Sequence, residues 1–456
     1  MIIFFIFINI LISLFNISIS IKLNVKKNNH FFKKNISSLK FRILNNNNYS
    51  SIDLPLLKSE LGLYSIDINI GEPNQKFSLV IDSGSSILWV YNNKCEACKS
   101  KNKFSSSDSK TFISKKETIN LNYVTGKIKG ELCQDNMNFQ DKLKMPLFYF
   151  LLVYESDLDF DMDGIIGLSK GGFFRKEYSF LNQLYDRKLI KENFLLYDLH
   201  NKLFYIGEIP PYLMNEKNIS CYDDTAFSNF WRCEMSSIII DNVPISIDTN
   251  IIFDSGTNGI VFPMKYLDIF KNIIANNDNL TKSECVFLKY DDSNIYKFIC
   301  TNNNNFGINH LNFSYNFIEI FLDKNINNSF GFNLLDLLEQ VEDDEILPFA
   351  LYIYDRKEEI LLGAPFFEKY PIMFNKDNNM ITIFGEGNTL YNNIQNIQNK
   401  NYKNNLRIFI IVTLVIIFIL LIIIIIRKYF FEKKRIKNEQ IEFLADEYTK
   451  NKIIKY

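Results

Sequence analysis

The chain has 456 residues, 47 % apolar and 23 % charged, which suits a globular protein of two or three domains with a large core. Its formal charge of −1 hides an asymmetry: residues 21–50 carry seven Lys/Arg and no acid, and residues 51–385 carry 32 basic and 46 acidic residues. A central body of net −14 argues against nucleic acid as a partner.

Residues 1–20 are uncharged and almost wholly apolar, ending in small residues at Ser18 and Ser20, the pattern of a signal peptide cleaved near Ser20. The usual basic start is missing, which leaves an uncleaved anchor as the alternative. Residues 21–54 then carry Lys22, Lys26, Lys27, Lys33, Lys34, Lys40 and Arg42. This strip reads either as a solvated linker or as a prosegment that docks on the acidic body.

From 55 to 385 the chain reads as short strands between turns, with alternation such as Leu63-Tyr-Ser-Ile-Asp-Ile-Asn-Ile70. Helical patterns are few: Tyr178 to Lys188, Met264 to Ala275 and Phe332 to Gln340. The fold class expected is all-β. Two stretches stand out within it. Phe77-Ser-Leu-Val-Ile-Asp-Ser-Gly-Ser-Ser-Ile-Leu-Trp-Val90 delivers Asp82 from an apolar run into a Ser/Gly turn. Ile251-Ile-Phe-Asp-Ser-Gly-Thr-Asn-Gly-Ile-Val-Phe262 does the same for Asp254, 172 residues later.

One Asp-Ser-Gly is an ordinary turn sequence, but two copies between buried-strand runs are not expected by chance. A carboxylate at such a turn is exposed at the end of a rigid strand, and glycine lets another backbone come close. If the two loops face each other, their carboxylates touch and share one proton, because like charges at contact cannot both ionise. One can then act as base on a water while the other donates to a carbonyl, a way of hydrolysing amides without a metal or a covalent intermediate.

These residues resemble the two active-site loops of pepsin-like aspartic proteases. Trp89 matches the family tryptophan, and Tyr123-Val-Thr-Gly126 is similar to the flap, with Tyr123 at the flap tyrosine position. Asp163-Gly-Ile-Ile-Gly-Leu168 and Ile360-Leu-Leu-Gly-Ala-Pro-Phe366 resemble the two segments that thread beside the catalytic loops, and Tyr370 to Ile383 the closing strands. Ser83 stands where Thr is commoner, and Val124 replaces the usual flap Gly.

The resemblance implies a bilobal fold with the cleft between an N-terminal lobe, 55–225, and a C-terminal lobe, 226–385. It implies Asp82 and Asp254 as the catalytic pair, with Gly84 and Gly256 in the loops and Ser85 and Thr257 buttressing the outer carboxylate oxygens. Tyr123 and Thr125 would close over a peptide or protein substrate, Trp89 would hold Tyr123 through its indole N–H, and Val80 and Ile165 would line an apolar pocket. No cofactor or metal is needed, and a monomeric catalytic body is expected. In the family's zymogens a basic prosegment places a Lys beside the Asp pair.

Seven cysteines are present. Cys95-x-x-Cys98 invites a zinc or redox reading, but no second pair sits at ligand spacing, and behind a signal peptide disulfides are favoured. The resemblance implies Cys95–Cys98 and Cys285–Cys300; of the remaining three, Cys221–Cys233 is taken as the third pair, which would leave Cys133 unpaired. Asn218, Asn279, Asn312 and Asn327 begin glycosylation sequons.

Residues 386–406 form an Asn-rich stalk. Ile408 to Ile426 is nineteen residues without a charge or Pro, about 28 Å at ~1.5 Å per residue, enough to cross the hydrocarbon core. A transmembrane helix at 407–426 is therefore expected. Arg427-Lys428 and Lys433 to Lys437 place the tail 427–456 in the cytosol by the positive-inside rule. The expected protein is a single-pass type I membrane protein of the secretory or endolysosomal system or cell surface, with its body luminal or extracellular.

Other enzyme classes lack their residues. The three histidines, His30, His200 and His310, sit in no nucleophile or metal context, and no Gly-x-Ser-x-Gly elbow or phosphate loop occurs. A membrane-anchored aspartic endopeptidase is the leading reading, and the alternative is an inactive binding protein or receptor on the same fold.

Overall fold

The computed structural model describes residues 52–385, apart from 60–61, 101, 140–142, 159–161, 172–174, 223–228, 290–293, 302–310, 323–328, 340–345 and 356–357, together with a few residues in 426–435. The expected leader, nearly all of the basic strip, the stalk and the apolar span before Ile426 lie outside the described residues. Among the described residues no helix is long and apolar enough to cross a membrane.

The described chain is mostly strands with few helices, in three sheets of eight, nine and six strands. The expected alternation holds: Ile66, Ile68 and Ile70 are buried along Tyr64–Ile70, while Asp67 and Asn69 stay half-buried. Strand Gln75–Asp82 is apolar on both faces for a reason. Leu79 and Ile81 enter the large core, whereas Val80 points the other way into a second cluster with Trp89 and Ile165. Each fully buried aliphatic side chain of this kind contributes about 1.5–3 kcal/mol.

The eight- and nine-stranded sheets repeat one pattern. In the first, Gln75–Asp82 runs parallel to Gly164–Gly167, which lies antiparallel to Trp89–Tyr91. Trp89–Tyr91 runs parallel to Leu143–Ser156, followed by the antiparallel hairpin Gly126–Phe139 and Ile113–Tyr123. In the second, Val243–Phe253 runs parallel to Ile360–Leu362, antiparallel to Ile260–Pro263. Ile260–Pro263 runs parallel to Ile346–Tyr354, followed by the antiparallel hairpin Ile295–Thr301 and Val286–Lys289. The repeated Asp module is thus a repeat of structure as well as of sequence.

The six-stranded sheet joins the two halves, with strand order Ile52–Pro55, Leu203–Ile206, Phe194–Asp198, Ile372–Asn375, Met380–Phe384, Asn218–Tyr222. Its central pairing sets Leu195 opposite Phe374 and Tyr197 opposite Ile372, so strands from early and late in the chain share one ladder. Trp231 stacks on Phe374 with ring centroids 4.9 Å apart. A two-lobe reading of the sequence contains no such third sheet.

Helices form at Phe180–Asp186, inside the first expected patch, and at Leu267–Asn276, overlapping the second and running one residue past it. The third expectation, Phe332 to Gln340, is corrected. Phe332 ends the strand Ser329–Phe332, and only a 3-10 turn, Leu334–Leu337, follows. Asn333 caps that turn and Leu334 and Leu337 are both buried, a spacing of three that one tight turn satisfies. Helix Ala364–Lys369 was not anticipated, although Pro365 in its first turn is a start signal.

Candidate active site

Each Asp ends a buried strand and leads into a tight turn. Asp82 is buried at the end of Gln75–Asp82, and Asp254 follows Val243–Phe253 half-buried. Gly84 N donates to Asp82 Oδ1 at 2.8 Å, and Gly256 N donates to Asp254 Oδ1 at 3.0 Å, so each loop closes on its own carboxylate.

The two loops also lock to each other. Ser83 N donates to Ser255 Oγ at 3.0 Å, and Ser255 N donates to Ser83 Oγ at 2.9 Å. Each hydroxyl then donates across to the opposite strand, Ser83 to Phe253 O at 3.0 Å and Ser255 to Ile81 O at 2.8 Å. Both serines are buried, so every one of these groups would be costly to leave unmade.

The lock presses each carboxylate against the other loop's glycine. A Cβ on Gly84 would lie 2.5 Å from Asp254 Oδ1, and one on Gly256 would lie 2.6 Å from Asp82 Cγ. Only glycine permits this approach. Burial first, and then the charge of Asp254, push the Asp82 carboxyl well above the usual carboxylate range. Asp82 therefore keeps its proton to higher pH than an isolated aspartate does.

Thr257 Oγ1 donates to Asp254 Oδ2 at 2.9 Å, as expected of a buttress. Ser85 differs from its expectation. Its hydroxyl is near enough to Asp82 and Tyr123 to favour their charged forms, yet it is buried and makes no full hydrogen bond with either. The main chain instead holds this arm: Ser169 N donates to Ser85 O at 2.8 Å, and Leu168 N donates to Asp82 O at 2.7 Å.

Tyr123 ends one arm of the hairpin, opposite Gly126, with Val124 and Thr125 exposed at the turn. Trp89 Nε1 donates to Tyr123 OH at 2.8 Å. Burial and then the Asp82 charge raise the Tyr123 phenol, which places it by the pair as a neutral donor. Val80 and Ile165 are register partners in the apolar cluster beneath Tyr123, and both are nearly fully covered.

Sequence reasoning missed two contributors. The serine exchange has a visible signal, a Ser after each Asp, but its partner lies in the opposite loop. Trp231 Nε1 donates to Leu168 O at 3.1 Å, so an indole from the second half steadies the segment beside Asp82. The cysteines pair as Cys95–Cys98, Cys221–Cys233 and Cys285–Cys300, leaving Cys133 buried and free. Among the described residues no cluster of His, Cys, Asp or Glu could hold a metal.

Residues 63–384 match the model of the eukaryotic aspartyl protease family, and the chain belongs to that family. It is similar to a probable aspartic-type endopeptidase of Arthroderma benhamiae, 26 % identical over 47 % of this chain and 44 % of the relative. It is also similar to vacuolar protease A of Aspergillus fumigatus, 28 % identical over 48 % of this chain and 58 % of the relative. To chymosin of Callithrix jacchus it is 29 % identical over 43 % of this chain and 54 % of the relative. The chain thus spans about half the length of the curated relatives it matches.

Proposed function

We propose that the protein is an aspartic endopeptidase in which Asp82 and Asp254 hydrolyse peptide bonds through one shared proton. The mutual packing of each carboxylate on the other loop's glycine carries this reading. Family membership and relatives named as endopeptidases support it. The shared proton resides on the more buried Asp82, which donates it to the scissile carbonyl. Asp254, accepting from Gly256 N and Thr257 Oγ1, takes a proton from the attacking water. Tyr123 covers the substrate from the hairpin, held by Trp89.

Asp82→Ala and Asp254→Ala test this directly. Each removes half of one proton-sharing site, so each single variant abolishes cleavage and the double variant is no worse. Cleavage surviving in either single variant refutes the dyad. A wild-type body that binds peptides but cleaves none at any pH would mark an inactive binding protein.

The proposal extends to placement. Ile408 to Ile426 anchors the protein in a membrane of the secretory system or cell surface, the body lies on the luminal or outer side, and residues 21–54 act as an inhibitory prosegment. The apolar span, the basic run behind it and the basic strip facing a body of net −14 support this. Alkaline carbonate extraction and protease protection of sealed vesicles check the anchor and its orientation. A peptide of residues 21–50 added in trans, inhibiting less at lower pH, checks the prosegment.

A further inference from the structure

The repeated strand order assigns every position of the first half's wall a counterpart in the second. In the first sheet Val80, Ile165, Trp89, Leu151 and Leu132 follow one another across the strands. This row carries Tyr123 and stands beside Asp82, and it is apolar throughout. The same register in the second sheet runs Ile252, Leu361, Val261, Tyr352 and Lys297. By the repeat, this second row faces the site from the side of Asp254.

Its chemistry is different. A Cβ on Gly259 would lie 2.7 Å from Tyr352 Cδ2, so the Tyr352 ring rests on the loop that carries Asp254. Tyr352 OH donates to Glu339 Oε1 at 2.6 Å, and Lys297 Nζ pairs with Glu339 Oε2 at 2.5 Å while sitting 5.6 Å from the Tyr352 ring centroid. The two charged side chains are 19 % and 20 % exposed, covered enough to be ordered and open enough to be reached.

We propose that Tyr352, Lys297 and Glu339 form a specificity-determining wall that accepts a carboxamide side chain of the substrate peptide, Gln or Asn. This rests on the endopeptidase reading. The compensated pair has no net charge, and beyond the contacts it makes among the described residues it has further ammonium N–H donors and carboxylate lone pairs to offer at once. A carboxamide carries one acceptor and two donors and meets both. A substrate carboxylate or ammonium loses hydration and gains no net attraction, because Lys297 and Glu339 act on it with opposite signs, while an aliphatic side chain takes water from the pair and returns no hydrogen bond.

Four synthetic peptides differing only in Gln, Leu, Lys or Glu at one site, scanned over three positions on each side of the scissile bond, provide the test. Assays run at one pH above the ordinary glutamate value of about 4.3. At one position the wild type is expected to favour Gln over Lys and Glu by about tenfold in kcat/KM, the scale of a hydrogen bond to a partly exposed charge. Lys297→Met leaves Glu339 uncompensated and turns the preference toward Lys. Glu339→Gln leaves Lys297 uncompensated and turns it toward Glu.

Opposite shifts in the two variants are what a general loss of packing cannot produce. The same order of peptides in wild type and both variants overturns the wall. Where either charge variant fails to unfold cooperatively, Tyr352→Phe takes its place: it keeps the ring on Gly259 and removes one donor to Glu339. A several-fold relative gain for the Lys peptide then supports the wall, and an unchanged order overturns it. Failure of the endopeptidase reading looks different, since the wild type would then cleave none of the four peptides.

Discussion

Ser83 and Ser255 exchange hydrogen bonds in both directions, each main-chain N–H donating to the other's hydroxyl at 2.9–3.0 Å. The exchange fixes the two Asp loops to each other, so it sets the separation of the carboxylates. Ser83→Ala strips a buried acceptor from Ser255 N and a donor from Phe253 O. The expected cost is about 1–3 kcal/mol in urea unfolding, with a larger loss in kcat/KM because the pair is no longer held in register. Ser83→Thr keeps the hydroxyl and is expected to retain most of both. Full activity in Ser83→Ala would show that the lobes are aligned by something else.

A second prediction concerns the hairpin. Trp89 is fully buried and holds Tyr123 OH at 2.8 Å, linking the rigid wall to the tyrosine of the hairpin. Trp89→Phe keeps an aromatic ring but removes the donor. Because Tyr123 is no longer positioned, kcat/KM should fall by about tenfold or more, and the smaller ring also leaves a cavity that lowers the unfolding midpoint. Tyr123→Phe should lose kcat/KM alike with little change in the midpoint, and the double variant should be no worse in kcat/KM than either single, since both break one link. Additive losses in kcat/KM would show that the two side chains act separately.

Much of this site was legible in the chain because its chemistry is local. Within each loop the Asp and its glycine, and in the second loop Thr257, sit within a few residues of one another, and tight turns demand those residue types. Trp89 and Tyr123 were readable only through resemblance, since 34 residues separate partners that touch. Ser85 shows the limit: its hydroxyl has the right type and place in sequence, but its orientation depends on packing. The six-stranded sheet was not legible as a sheet, although Tyr370 to Ile383 read as closing strands through the resemblance. Its strands Phe194–Asp198 and Ile372–Asn375 each read as an ordinary buried run, and nothing local says that they pair. The Phe332 to Gln340 pattern failed because a leucine spacing of three fits one 3-10 turn as well as a helix.

Glu319 offers a test away from the site. It is buried on strand Ile318–Phe321, with Asn316 Nδ2 donating to it at 3.3 Å, and burial raises its carboxyl above the ordinary value of 4.5. An acid raised on folding contributes stability that is complete below its unfolded value and is lost as pH rises through the folded value. The wild-type urea midpoint should therefore decline from about pH 4.5 upward. Glu319→Gln keeps the acceptor for Asn316 and removes the titration, so its midpoint should decline less and exceed the wild type's at neutral pH. Parallel curves for the two proteins would exclude Glu319 as a contributor.

The same sign governs the carboxylate pair, with activity as a second readout. Burial and the charge of Asp254 raise Asp82, so the folded protein holds a proton that the unfolded chain has released. The stability this contributes is complete below the ordinary aspartate value of about 3.9 and is lost as pH rises through the raised folded value. The proposed hydrolysis uses that same proton, so kcat/KM should fall over the same rise, with an apparent pKa that belongs to the pair. Asp82→Asn separates the two consequences. It cannot share a proton and should be inactive at every pH, yet it carries no charge to bury and should resist alkaline unfolding better than the wild type. Unfolding midpoints and peptide cleavage measured across one pH series check both. A wild-type rate still climbing from about pH 7 to pH 9 would remove the shared proton from the mechanism, because no pair raised in this direction gains from its loss.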